Sequence, residues 1–477
     1  MTKKPTHATL SANQRKYLHR AGIFTAVATI ISSVPIVAAT LAADLIPTKY
    51  LFIIVPIYLI AVGFTAWHLF TKPTRLSRAI IFITLGVIIT GINAYAFSSL
   101  RATGDFFSGI QQPNVRYVDY VVIAKNNANV SLDNAQSVSI ITTDSLYKAA
   151  ADGLKKETKA AQQSAMSMSH LTEALNTGTT ELAALRKANY DALEEDYAAF
   201  YNSTVVLATY KVRDVSAIMP TADTTKPFVL YISGIDTYGD VSEVSRSDVN
   251  ILAVINPQKH ELLLVNTPRD YYVQLHNKPG IPDKLTHAGI YGIDTSRQTL
   301  EDLYHTEIPY YLRLNFTSLV KTIDVIGPIT VTSDYAFKSF RVGENTLDSK
   351  RALEFARERY SFTDGDRQRG RNQQKVIEAI IAKLSEPKNA IRYNKILANL
   401  QGSLQTNMSQ PRINALAKTQ LDDMKHWKVE SISVDGTGAT QQTYSMGAQP
   451  LYVMIPDESS VKYARQMIDK YLESTTK

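Results

Sequence analysis

Three apolar runs, at residues 23–45, 50–70 and 79–97, follow one another near the amino terminus. Each is close to the ~20 residues that a helix needs to cross a bilayer, and a helix satisfies its own backbone hydrogen bonds in hydrocarbon. A cleaved leader would show one short apolar core and a small-residue cleavage site, whereas here three long runs come in succession. Buried soluble helices would need partners on every face, and no downstream segment offers a comparable apolar surface. Lys3, Lys4, Arg15, Lys16 and Arg20 precede the first run, Lys49 stands alone in the first connection, and Lys72, Arg75 and Arg78 lie in the second. The positive-inside rule therefore makes residues 1–20 a cytoplasmic tail and 21–100 three transmembrane helices, with everything beyond on the outside. The expected location is the cell membrane, multi-pass, with extracellular carboxy-terminal domains.

The remaining length suffices for two domains with cores of their own. With no cysteine among 477 residues, disulfides, thiolate metal sites and cysteine nucleophiles are excluded. A formal charge of +7 favours anionic partners without choosing among them. Residues 101–225 read as a small accessory α/β domain and linker, with strands at 117–124 and 138–142 and helices at 143–153 and over the polar stretch 155–201. No motif there carries recognisable chemistry. From Phe228 strands and helices alternate: strands at 228–235, 249–255, 261–266, 310–314, 329–332, 429–434 and 451–455, helices at 295–304, 316–326 and 458–472. Such alternation predicts one α/β domain over 226–477, layered α/β/α around a central mixed sheet.

Residues 357–374 are the densest chemical signal. Arg357, Arg359, Arg367, Arg369 and Arg371 stand against Glu358, Asp364 and Asp366, with Gly365 and Gly370 between. Guanidinium forks bind phosphate bidentately and stay charged when partly desolvated. A solvated, salt-bridged surface loop is the competing reading. The spacing predicts a helix over 346–356, capped by Asn345 or Thr346, and a second from Asn372 stopped by Pro387. Arg357 and Arg359 would point about 200° apart on one helix, so both face one ligand only if the helix unwinds there. Arg369 and Gln373 share a face only if the second helix starts early.

Three consecutive strands also end in acids and arginines. Asp236 follows Gly234-Ile235, Arg246-Ser247-Asp248 leads into the second strand, and Thr267-Pro268-Arg269-Asp270 closes the third. Strand ends border the usual ligand crevice of α/β sheets. Asp236 and Asp248 are the hard oxygen donors that hold Mg²⁺, and arginines beside Mg²⁺ suit phosphoryl transfer. Each pair taken singly also fits a turn cap or a local ion pair. His287 reads either as a general base or as a structural histidine.

These motifs, with Lys284-Leu285-Thr286-His287-Ala288, resemble the LytR-CpsA-Psr (LCP) family over residues 228–384. Members of that family are bacterial membrane-anchored enzymes that transfer glycopolymers to the cell wall. The three helices and inserted domain look like its streptococcal capsule-type CpsA subgroup. The resemblance implies Asp236 and Asp248 as ligands of Mg²⁺, with Mn²⁺ as a substitute ion. It implies Arg246, Arg269, Arg357, Arg359, Arg369 and Gln373 as contacts to a polyprenyl pyrophosphate, with Arg246, Asp248, Arg269 and Asp270 catalytic and Asp248 or Asp270 as base. The sequence departs from the usual pattern at Asn372-Gln373-Gln374, where an arginine normally opens the triplet. The implied reaction moves a capsular polysaccharide or related glycopolymer from a polyprenyl-diphosphate carrier to peptidoglycan through a phosphodiester. Membrane, carrier lipid, peptidoglycan and capsule assembly proteins are the expected partners, and nucleic acid is not.

Two other readings use the same residues. A membrane-bound regulator of capsule expression would need a nucleic-acid surface inside the cell, where the topology leaves only the tail and one short loop. A polyprenyl-pyrophosphate hydrolase or passive binding module would keep the pocket without transfer.

Overall fold

The computed structural model describes residues 11–43, 46–110, 116–214, 226–235, 241, 244–363, 365–384, 404–423, 425 and 427–473. Two compact units emerge from the packing, one containing the amino-terminal helices with Gln410–Lys425, the other Gly109–Ser409 with His426–Lys477.

In the first unit, α1 (Ala12–Ala43), α2 (Thr48–Phe70) and α3 (Leu76–Ile110) contain three stretches long and apolar enough to cross a membrane, Ala12–Ala42, Thr48–Phe70 and Leu76–Ala102. Their polarity is inverted relative to a soluble bundle. Phe24, Phe52, Ile60 and Ile81 face outward, while Thr29, Ser33 and Asn93 are buried. Tyr58 donates to Asn93 Oδ1 at 2.8 Å, Asn93 Nδ2 donates to Ser32 Oγ at 2.9 Å, and Thr29 Oγ1 donates to the Gly86 carbonyl at 3.1 Å. Hydrogen bonds between helices and an apolar exterior are how helices associate in hydrocarbon, where apolar burial offers little driving force.

The second unit opens with a five-stranded sheet in the order β3-β2-β4-β1-β5. Its strands are β1 (Arg116–Lys125), β2 (Ser137–Ile141), β3 (Ala161–Ala165), β4 (Leu182–Arg186) and β5 (Thr204–Asp214), with helices α4 (Tyr147–Glu157), α5 (Met168–Thr177), α6 (Lys187–Asp196) and α7 (Ala198–Tyr201). The long helix expected over 155–201 is therefore wrong. The Leu-Ala-Ala-Leu-Arg run of β4 has helical propensity, but all five residues are buried between neighbouring strands, and tertiary packing overrides local preference. Ile290, Met446 and Leu451, from the later part of the chain, enter the core beneath this sheet.

A six-stranded mixed sheet follows, in the order β14-β11-β6-β7-β8-β15. It comprises β6 (Phe228–Ile235), β7 (Ser247–Asn256), β8 (Glu261–Asn266), β11 (Tyr310–Asn315), β14 (Leu404–Thr406) and β15 (Lys428–Ser433). Between β8 and β11 lie the short β9 (Tyr272–Val273) and β10 (Asp283–Lys284), then α8 (Leu285–Ala288) and α9 (Ile293–Tyr304). After β11 come α10 (Phe316–Ile326), the hairpin β12 (Ile329–Ser333) and β13 (Gly343–Leu347), α11 (Ser349–Arg357) and α12 (Asp366–Leu384). Helix α13 (Gln410–Asp423) follows β14, and the hairpin β16 (Gly436–Thr443) and β17 (Gly447–Pro456) leads to α14 (Glu458–Leu472).

The strands of this sheet are almost wholly apolar because both faces are covered. Val229, Tyr231, Leu252, Val254, Leu263 and Val265 pack against α8, α9 and α14. Alternate residues, among them Ile232, Ile251, Ala253 and Leu264, pack with Ile377 and Ile381 of α12. The layered α/β/α arrangement expected from the alternation of elements is present. The helix expected over 346–356 is present but starts later, at Ser349: Thr346 and Leu347 end β13, and α11 is capped by Asp348, whose Oδ1 accepts the Arg351 amide at 2.8 Å. Asn345 instead braces the preceding turn, accepting from the Arg341 amide at 3.1 Å and donating to the Arg341 carbonyl at 2.7 Å.

Candidate functional site

Because β7 runs antiparallel to both β6 and β8, its first residues meet the last residues of its two neighbours at one edge of the sheet. A shift of register between Gly234 and Ile235 tightens this edge, and a Cβ on Gly234 would lie 2.6 Å from Val249 Cγ2. Buried polar groups fix it from beneath: Tyr231 donates to Asn250 Oδ1 at 2.6 Å, and the Ser233 and Ser247 hydroxyls are 2.7 Å apart.

Asp248 projects from this edge. Its Oδ2 accepts from Arg269 Nη1 at 2.9 Å and its Oδ1 from Thr286 Oγ1 at 2.9 Å. Burial opposes ionisation, but the charges of Arg269, Arg246 and Arg369 outweigh it and hold the carboxyl below its ordinary range. Arg269 is itself 5% exposed, carried by the chain just after β8 and pinned where the Thr286 amide donates to its carbonyl at 2.8 Å.

Opposite stands the arginine-rich connection. Helix α11 ends at Arg357 because Glu358 turns extended, with φ −68° and ψ 126°. Glu358 is buried, accepts the Ser361 amide at 2.8 Å and pairs with Lys338. That break lets Arg357 and Arg359 line the same cavity. Gly365, at φ +45°, supplies the left-handed residue from which α12 departs. Helix α12 begins at Asp366, six residues before the expected Asn372 (372 − 366), so Arg369 and Gln373 do share a face, continued by Val376 and Ile377. Asn372 donates to the Phe355 carbonyl at 3.3 Å and Gln374 to the Ile432 carbonyl at 2.8 Å, tying α12 to α11 and β15. The other two arginines serve neighbours: Arg367 Nε lies 2.9 Å from Asp435, and Arg371 Nε donates to Gln368 Oε1 at 2.8 Å.

Between these walls lies a cavity of about 430 Å³. Asp248, Arg269, Arg357, Arg359, Arg369 and Gln373 line it, together with Ile232, Ile235, Val249, Leu314, Leu319 and Val376. Of the other residues singled out in the sequence, Asp236 lies outside the described residues. Arg246 is not in the lining; its Nη2 donates to Glu195 Oε2 at 2.6 Å and its Nη1 is 3.6 Å from Asp196. Asp270 also turns away, 3.3 Å from Lys284 Nζ and 3.9 Å from Arg269 Nε.

Glu195 was missed entirely, yet it lines the cavity and lies 4.0 Å from Arg269 as well as against Arg246. Burial disfavours its charge, but Arg246 and Arg269 hold its carboxyl below the ordinary range. It sits at the end of α6, so the five-stranded sheet, which seemed chemically silent, delivers an acid to the site. Its neighbour Asp196 clamps His287, whose Nε2 is 3.0 Å away while Nδ1 is 2.6 Å from Asp283. Burial favours the neutral ring, but the two carboxylates prevail and push His287 up to about 9. His287 is thus an imidazolium strut between the two halves of this unit, the structural one of its two readings. No local signal marks Glu195 or Asp196, because their partners lie about fifty to ninety residues onward.

Among the described residues no group of three or more His, Cys, Asp or Glu is arranged for a metal ion. Asp248 nevertheless suits a hard cation: its carboxyl is held in the charged form, and with one hydrogen bond from Arg269 and one from Thr286 each oxygen keeps a further lone pair.

The family model described as the LytR_cpsA_psr family matches residues 193–461 of the chain. The chain is 32% identical over 227 residues to the polyisoprenyl-teichoic acid–peptidoglycan teichoic acid transferase TagU of Enterococcus faecalis, covering 46% of this chain and 74% of that protein. It is 30% identical over 219 residues to TagU of Bacillus cereus, covering 45% of this chain and 70% of the relative. Among solved structures, B. subtilis TagV aligns at 24% identity with a TM-score of 0.45, covering 53% of this chain and 99% of that one.

Proposed function

The chain belongs to the LytR_cpsA_psr family, and from that premise we propose that it is a membrane-anchored transferase. Its substrate on this reading is a glycopolymer, specifically a capsular polysaccharide, carried on a polyprenyl diphosphate, and its acceptor is a hydroxyl of peptidoglycan.

The observation that carries the reading is the gradient along α12. Arg369 and Gln373 line the cavity from its first turns, and Val376 and Ile377 continue the same face further along. A helix rises ~1.5 Å per residue, so the cationic and apolar parts of the wall are separated by roughly 10 Å. A diphosphate joined to an isoprenoid chain has that polarity: charge at one end, hydrocarbon directly after it. Arg269, Arg357, Arg359 and Arg369 would neutralise and orient the diphosphate oxygens, which is most of what phosphoryl transfer asks of a protein. Asp248, with Asp236 beyond the described residues, would hold Mg²⁺, which when bound supplies further neutralisation of those oxygens. The acceptor hydroxyl attacks the phosphorus that bears the sugar, and polyprenyl phosphate leaves. The basic tail and the second connection keep the first unit's amino terminus inside, so this chemistry proceeds outside the membrane.

The test is incubation of the full chain in detergent with a polyprenyl-diphosphate oligosaccharide, Mg²⁺ and peptidoglycan fragments, followed by mass spectrometry. A phosphodiester-linked adduct is expected. Sugar phosphate released without adduct would make the protein a hydrolase, and lipid binding without turnover a passive module.

A further inference from the structure

The mouth of the cavity holds two side chains that binding a lipid diphosphate does not use. Tyr360 is 85% exposed although it lines the cavity. Its ring is held from one side, with the Arg359 guanidinium 4.8 Å from the ring centroid and Arg359 Nη2 donating to its hydroxyl at 2.7 Å. A solvent-facing aromatic ring held in place beside the cavity suits a sugar, whose axial C–H groups meet the negative face of the ring. Glu195 is the second. Its side chain is 46% exposed, against 10% for Asp248, and these two are the carboxylates lining the cavity among the described residues. Asp248 accepts from Arg269 and Thr286 within the cavity wall, whereas the more exposed Glu195 accepts from Arg246 at 2.6 Å, lies 4.0 Å from Arg269 and feels the charge of Arg359.

We infer that Tyr360 and Glu195 form the acceptor subsite, Tyr360 as the platform for a pyranose ring of the incoming glycan and Glu195 as the group that binds the attacking hydroxyl and takes its proton. The inference rests on the transferase reading above. In the step, the acceptor oxygen forms a bond to the sugar-bearing phosphorus. The bond from that phosphorus to the bridging oxygen breaks, its electron pair leaves on polyprenyl phosphate, and the hydroxyl proton passes to the Glu195 carboxylate. Before the donor binds, Glu195 pairs with Arg246 and Arg269. Once the diphosphate recruits Arg269, which lines the cavity, the hold on the carboxylate weakens and it turns toward the acceptor. Helix α6, which follows β4 of the five-stranded sheet and carries Glu195, is then part of the transfer site.

The experiment measures transfer from a polyprenyl-diphosphate oligosaccharide to a soluble peptidoglycan glycan fragment, using the full chain in detergent, with donor affinity measured separately. Tyr360→Ala is expected to raise the acceptor KM about fivefold or more with donor Kd unmoved. Glu195→Gln is expected to lower kcat about 100-fold with donor Kd unchanged or tighter, a size typical of a lost general base. Added formate is expected to restore turnover to Glu195→Ala, as an external base would, and not to Glu195→Gln. The inference is overturned if both variants stay within about twofold of the parent, or if each loses donor binding in proportion to turnover. A parent chain that forms no adduct at all defeats the transferase reading instead.

Discussion

Arg269 and Asp248 form a buried ion pair at 2.9 Å, at 5% and 10% side-chain exposure, directly on the wall of the cavity. Replacing Arg269 with Ala leaves a buried carboxylate that has lost its principal counter-ion. A loss on the order of 3 kcal/mol in urea unfolding is expected, together with loss of donor binding. Removing both partners at once should cost less than the sum of the single changes, and a double-mutant cycle measures the difference.

The clamp on His287 sets a pH dependence. Its folded value, about 9, lies above the ordinary 6.5. The stability it contributes is therefore complete below pH ~6.5 and lost as pH rises through 9, with a magnitude on the order of 3 kcal/mol. Denaturant midpoints should fall between pH 6.5 and 9, and His287→Gln should flatten that fall.

The arginines of the connection should separate into two classes. Arg369→Ala removes a cavity-lining guanidinium and should weaken binding of a polyprenyl diphosphate by about tenfold or more. Arg371→Ala, whose side chain is occupied with Gln368 outside the cavity lining, should leave that affinity within about twofold. Fluorescent-lipid titration of both variants distinguishes them.

Gly289 governs the approach to the site. A Cβ there would lie 2.5 Å from the Ser245 carbonyl oxygen and 2.7 Å from the Ser247 amide nitrogen, against the backbone that carries Arg246 and leads to Asp248. Gly289→Ala should cost about 1–3 kcal/mol in thermal unfolding and weaken donor binding as well, since the backbone has to move.

A reporter fused after residue 100 tests sidedness. Export-dependent activity is expected, because positive charge flanks the first and third apolar helices on the same side. Cytoplasmic activity of that fusion would reverse the orientation.

Much of this protein was legible from periodicity alone. The strands 228–235 and 261–266 and the helices 316–326 and 458–472 have boundaries that match the structure, because each is a strong local pattern bounded by turns or caps, and the three apolar runs fall in helices that begin earlier, at Ala12, Thr48 and Leu76. Of the acids and arginines expected at strand ends, Asp248 and Arg269 line the cavity, whereas Arg246 and Asp270 turn to Asp196 and Lys284. Local preference failed where it conflicted with burial. The run 182–186 has a helical composition and is a buried strand, and the helix expected from 346 begins at Ser349 because Thr346 and Leu347 pair with β12.

What the chain's order of residues determined by itself was therefore the set of elements, the membrane-length helices and the supply of guanidinium groups. Only the tertiary structure decided which of those groups share a cavity. Arg357 and Arg359 converge because Glu358 breaks a helix, and Arg367 and Arg371 diverge because α12 turns them toward Asp435 and Gln368. Glu195 reaches Arg246 across fifty-one residues of chain, a contact that long-range packing alone creates. Electrostatic partnership depends on distance in space, and sequence spacing reports it only within a single helix or strand.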